Sequence, residues 1–142
     1  DLSCNSVEMS EKQIVSVYES YGSRKLIHNM LRAYISPSMG EHSIDGIFTS
    51  SDHLAMIVQE ELEEMGKRVP EDIQIIGYAG LQFLNQGKPI VSSIAQPVHE
   101  IAKEAVRCLN ELIANGKTEG NTKIPVSFQE GPTTKTLVTE EK

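Results

Sequence analysis

Along the chain, short β-branched apolar runs alternate with longer stretches in which apolar residues recur at helical spacing. Gln13-Ile14-Val15-Ser16-Val17-Tyr18 gathers β-branched and aromatic residues in a short run and predicts a strand. Leu26, Ile27, Met30, Leu31 and Tyr34 then follow a helical period. Ser20 or Ser23 can cap that helix, and Ser36-Pro37 ends it, because a residue before proline avoids the α region. Ile44 to Thr49 is a second apolar run, leading straight into Ser50-Ser51-Asp52, whose side-chain oxygens can accept the free N–H groups of a helix start. The helix so begun carries Leu54, Ala55, Val58, Leu62 and Met65 on one face. It places Glu60, Glu61, Glu63 and Glu64 largely on a solvated side and stops at Gly66.

Val69-Pro70-Glu71-Asp72 reads as a loop, and Ile73-Gln74-Ile75-Ile76-Gly77-Tyr78 as a buried strand that ends beside a glycine. Ile90 to Ala95 is another strand-like run. Gln96-Pro97 then opens the clearest helix of the chain, with Val98, Ile101, Ala102, Ala105, Val106, Leu109, Leu112 and Ile113 in one stripe and Asn115-Gly116 as its stop. Thr122 to Gln129 predicts a last strand, near an edge because it contains a proline. The threonine-rich tail from Gly131 is expected to fray. Helix-plus-strand units in succession imply an α/β fold, a parallel sheet with crossover helices.

Charge narrows the partners. With 13 basic and 20 acidic residues the formal net charge is −7, which repels the phosphate backbone, so this segment should not bind DNA unaided. Cys4 and Cys108 form no Cys-x-x-Cys pair and point to a reducing cytoplasm rather than to a zinc site or a disulfide framework. No apolar run approaches the roughly 20 residues of a membrane span. The start lacks the basic-then-apolar layout of a signal peptide, and the chain is read as part of a longer one.

The histidines His28, His42, His53 and His99 show no metal-ligand spacing, and no nucleophile elbow, Walker loop or Gly-x-Gly-x-x-Gly fingerprint is present. Neither catalytic residues nor a cofactor is expected. What remains is geometry, since ligands of open parallel sheets bind outside the carboxyl ends of the strands. Two such ends are visible. Thr49-Ser50-Ser51-Asp52-His53 could present hydroxyls and helix N–H groups to a polyol or anion, or be merely a capped helix. In Gly77-Tyr78-Ala79-Gly80-Leu81-Gln82 small residues let the backbone approach a ligand closely, or simply make a turn.

Three blocks, Asp45 to Ala55, Gly66 to Tyr78 with its Val-Pro-Glu-Asp core, and Ser92-Ser93-Ile94-Ala95-Gln96-Pro97, resemble the C-terminal half of LacI-family repressors in content, order and spacing. The resemblance is good over about 44 to 130. It implies a two-lobed, periplasmic-binding-protein-like (type I) core with the effector in the cleft between lobes and a helix-turn-helix head ahead of it. On that template 1–142 is the C-terminal part of the core, mostly one lobe, with the helix at 98–115 in the other lobe and the DNA-binding head absent.

The same resemblance implies site roles. Ser51 would contact the effector, where the family more often has asparagine, and Asp52 would support the turn. Ala79 stands where the family usually has an aspartate that holds ligand hydroxyls, so either the effector is not gripped through hydroxyls at this corner or Gln82 and the Ser51 hydroxyl substitute. Tyr21 lies about where an aromatic covers a sugar ring. The protein this resemblance implies is a cytoplasmic, homodimeric sensor of a small metabolite, on family grounds a sugar, that touches operator DNA only through its head. The rivals are a solute-binding protein of a sugar transport system and a doubly wound α/β enzyme using Asp52 or His53 at a strand end.

Overall fold

The structure is a computed structural model that describes residues 24–35, 44–80, 84–85 and 87–136. The strand expected over 13–18, the capping serines Ser20 and Ser23, and two candidate ligand residues, Tyr21 and Gln82, lie outside those residues.

Strand β1 (Gly46–Phe48) and strand β2 (Gln74–Ala79) run parallel with Ile47 opposite Ile75, and the helix between them, α2 (Asp52–Glu64), supplies the crossover that a parallel pair requires. Beyond β2 lies β5 (Ser92–Ala95), also parallel, with Gly77 opposite Ser93. The sheet closes on β6 (Ser127–Gln129), which is antiparallel to β5, giving the order β1-β2-β5-β6. The edge position expected from the proline is therefore found, but pairing is confined to three residues and Pro125 lies before them. A small antiparallel pair, β3 (Leu84–Asn85) with β4 (Lys88–Pro89), interrupts the β2-to-β5 connection. Two residues a side carry no periodicity, so the sequence pattern could not show it.

Ala55, Val58 and Leu62 of α2 meet Ile73, Ile75 and Val91 in one core, which sits between the helix and the sheet. Helix α1 (Arg24–Ile35) lays Ile27, Leu31 and Ile35 against that core. Here one expectation is corrected. Glu61 is not on a solvated face: it is buried, because it falls three residues after Val58 and beside Leu62 on the face that α1 covers. A buried carboxylate persists only when paired. Arg24 Nε donates to its Oε1 at 3.1 Å and His28 Nδ1 lies 2.8 Å from its Oε2, while the Arg24 guanidinium also reaches Glu60.

A second correction concerns the tail. Through Thr136, residues after Gly131 are not frayed but locked: Thr133 is 1% exposed, its hydroxyl donates to the Ile75 carbonyl at 2.7 Å and accepts from the Ser92 N–H at 2.9 Å. Its own carbonyl takes the Ile75 N–H at 2.9 Å. The segment thus fills the gap at the amino ends of β2 and β5, where backbone groups would otherwise be buried without partners. Threonines suit this place because a hydroxyl can donate and accept in one small volume.

Helix α3 (Val98–Asn115) matches the expected span and ends at Gly116 in the left-handed region, φ 69°. No residue of it is buried, and Val98, Val106, Leu109 and Ile113 of its apolar stripe are exposed. Its polar side is tied internally by Arg107 to Glu104 and Glu111. Arg107 chiefly, and then the Thr122 hydroxyl, hold the Glu104 carboxyl down at about 2.

Candidate functional site

Because β1, β2 and β5 are parallel, their carboxyl ends share one edge of the sheet, the edge where such folds hold ligands. At the end of β1, buried Thr49 continues the ladder by donating its N–H to the Ile76 carbonyl at 2.9 Å, and its hydroxyl donates to the Ser51 carbonyl at 2.9 Å. This fold of the backbone starts α2. Ser51 is its N-cap: the Oγ accepts the Leu54 N–H at 3.2 Å from an extended backbone. A hydroxyl that accepts one bond still has a proton to donate. Ser51 is half-buried at the start of α2.

Asp52, the first residue of α2, is placed differently. It is fully buried, lies over the backbone of β2 at Gly77, and accepts on Oδ1 a hydrogen bond from the Ser93 hydroxyl of β5. Its Oδ2 has no hydrogen-bond partner among the described residues. Asp52 is thus beneath the edge, while the neighbouring His53 is exposed on the helix.

At the end of β2 the chain turns through two residues of positive φ, Ala79 at 102° and Gly80 at 64°. The Gly80 N–H donates to Ser93 Oγ at 3.1 Å, and the Ala79 carbonyl accepts from the Gln96 N–H at 3.4 Å. A Cβ on Gly80 would lie 2.5 Å from that of Ala95, so the corner tolerates nothing larger there. Ala79 is the anomaly, since positive φ is uncommon for a residue with a side chain. Ala79→Gly should relieve that conformation and, against the usual entropic penalty of glycine in a strand, leave stability unchanged or raise it by up to ~1 kcal/mol. Urea unfolding checks this; a loss above about 1 kcal/mol would show that the alanine methyl packs usefully.

Of the residues singled out in the sequence, Ser51 and Ala79 are brought to one edge, Asp52 lies under it, and Tyr21 and Gln82 lie outside the described residues. Ser93 and Gln96 were not recognised. For Ser93 a signal existed, since two adjacent serines inside a buried strand run must spend their hydroxyls on partners. The Ser93–Asp52 pair is enclosed within the edge at 2% and 0% exposure. An open depression lined by Lys88, Ile90, Glu130 and Pro132 lies by the amino end of β5, away from this edge.

An α/β unit of helices on a parallel sheet of this kind defines a class, and the comparisons with known proteins agree. A family profile described as periplasmic binding protein-like domain matches residues 5–134, and the chain belongs to that family. Within it, the matches are those of a LacI-family effector-binding core. The ribose operon repressor of Bacillus subtilis is 42% identical over 69 residues, which are 49% of this chain and 21% of the repressor. A LacI family transcriptional regulator from an Arthrobacter species, solved in complex with lactose, superimposes with a TM-score of 0.59 at 29% identity, covering 79% of this chain and 40% of that one. One from Enterococcus faecium with bound ribose gives a TM-score of 0.56 at 29% identity, covering 78% and 38%. The chain therefore spans about a fifth of the length of the ribose operon repressors it matches. Among the described residues no helix is long and apolar enough to cross a membrane.

Proposed function

We propose that this chain is the ligand-sensing part of a LacI-family transcription regulator, binding a small sugar at the carboxyl edge of β1, β2 and β5 and catalysing no reaction. The reading is carried by the convergence on one edge of a half-buried capping hydroxyl, Ser51, and a turn of small residues, Ala79–Gly80, that leaves room for close approach. Relatives solved with lactose and with ribose support a sugar as the effector. In the whole cytoplasmic regulator, a homodimer, operator DNA is contacted by a separate helix-turn-helix head. Helix α3 packs in the second lobe of the core, which accounts for the apolar stripe it leaves uncovered. Effector binding then controls the operator by favouring one arrangement of the lobes over another.

Calorimetric titration of the complete two-lobed regulator with D-ribose, lactose and other mono- and disaccharides tests the reading. At least one sugar is expected to bind. A carboxylate at position 79 would add charge-assisted hydrogen bonds of ~1.5–3 kcal/mol where neutral ones contribute nearer 1 kcal/mol. Ala79→Asp is therefore expected to tighten that sugar by about tenfold. If no sugar in the panel binds, or Ala79→Asp leaves the affinity unchanged, the edge is not where the sugar sits.

A further inference from the structure

Two halves of the candidate site, the Ser51 cap and the Ala79–Gly80 turn, lie on different elements, and no hydrogen bond joins them directly among the described residues. What lies between them is Ser93. Its side chain is on β5, opposite Gly77 in register, and is 2% exposed. A hydroxyl has one proton to give and lone pairs to receive. The proton goes to Asp52 Oδ1, and a lone pair takes the Gly80 N–H at 3.1 Å. Asp52 is itself the first residue of α2, next to the capping Ser51, and is pressed onto the β2 backbone with 0% exposure. The chain of bonds therefore runs Gly80 N–H to Ser93 to Asp52 to the start of α2.

We propose that Ser93 is the positioning residue of this edge: its hydroxyl couples the Ala79–Gly80 turn to the first turn of α2, so that both halves of the site stand at one fixed separation. For a ligand carrying several hydroxyls, that separation selects which hydroxyl spacing can bridge them. The competing support for the turn is weaker, since the Gln96 N–H meets the Ala79 carbonyl only at 3.4 Å. Alanine at 93 would take from the half-buried Gly80 N–H its Ser93 partner and would leave both oxygens of the buried Asp52 carboxyl unpaired, an arrangement that native interiors avoid. Threonine would keep the hydroxyl and suits a strand. What the separation is used for rests on the sugar reading above; the coupling does not, and its test needs no ligand.

The experiment is residue-resolved amide hydrogen exchange by NMR on the 142-residue chain, comparing wild type, Ser93→Ala and Ser93→Thr. In the wild type the Gly80 amide should exchange at least about tenfold more slowly than an open turn. In Ser93→Ala the Gly80 amide should accelerate by about tenfold or more, and the Leu54 amide, which caps on Ser51, should accelerate with it. Ile75 and Gly77 within β2 should change less. Ser93→Thr should restore both. General loss of stability would instead accelerate all four amides together, and that result overturns the proposal. So does a Gly80 amide that accelerates while Leu54 does not. Should Ser93→Ala fail to fold, the other two chains still decide: an unprotected Gly80 in the wild type, or loss of its protection in a folded Ser93→Thr, overturns the coupling.

Discussion

Thr133→Val is expected to lower the stability of the chain by roughly 3 kcal/mol, although valine has nearly the shape of threonine and leaves no cavity. The cause lies in the backbone. Thr133 is 1% exposed, and its hydroxyl satisfies the Ser92 N–H and the Ile75 carbonyl at once. Removing it strands a buried donor and a buried acceptor, each costing ~1–3 kcal/mol, because water cannot reach them. The shift should appear in the urea midpoint with the slope unchanged, since the same surface is exposed on unfolding. Thr134→Val is the internal comparison: that residue is only half-buried, and its hydroxyl shares a 2.7 Å bond with Ser92 Oγ, which also accepts the Gly131 N–H. A loss of about 1 kcal/mol is expected there. Equal effects at the two positions would mean that the hydroxyl at 133 has no special place.

Gly77→Ala should be nearly as damaging and should act on the site as well. A Cβ there would lie 3.0 Å from Asp52 Cα and 3.3 Å from its Cγ, and it would run into Oδ1. The nearest obstacle includes backbone, so no side chain can swing aside, and Asp52 at 0% exposure has nowhere to go. Overpacking of this kind costs ~1–3 kcal/mol, and the upper part of that range is expected. The first turn of α2 must lift from the sheet, carrying Ser51 out of line with the Ala79–Gly80 turn. Gly46→Ala has the opposite sign: nothing lies within 4 Å of a Cβ at 46, and alanine in a strand avoids the entropic cost of glycine, a gain of roughly 0.5–1 kcal/mol. Thermal unfolding of the two variants side by side separates the cases. If both move the midpoint alike, the close approach of Asp52 to β2 is not what limits position 77.

How far the sequence could be read depended on whether a residue's environment is set by its own period or by a distant segment. The unit from Ile44 to Tyr78 and the helix from Val98 to Asn115 were legible because apolar spacing and end signals, Ser51 at one helix start and Gly116 at one helix end, are local properties. Glu61 was misread for the converse reason. Its burial is imposed by α1, which brings Arg24 and His28 from more than 30 residues away to pair with it. The tail was misread likewise, since a threonine in a polar stretch gives no sign that it will plug a gap between two strands. At the site, Ser51 and the turn at Ala79 were visible as strand ends, whereas the role of Ser93 depends on a side-chain bond across 41 residues to Asp52. The Ala79 backbone at positive φ had no signal, because residues with a side chain seldom adopt it and alanine carries no mark of it.

The closing segment at Gly131 to Thr136 also bears on how the chain reaches its fold. Thr133 bonds to Ile75 across 58 residues and to Ser92 across 41, so these contacts carry a large loop-closure cost and belong to the late part of folding. During synthesis β1, α2, β2 and β5 all leave the ribosome before residue 131 does. Until it emerges, the amino ends of β2 and β5 hold unpaired N–H and C=O groups beside the apolar residues Ile75 and Val91, the kind of half-finished edge on which nascent chains associate. The last-made part of this unit is therefore the part that seals it, and the interval before it arrives is when the chain is most exposed to misassembly.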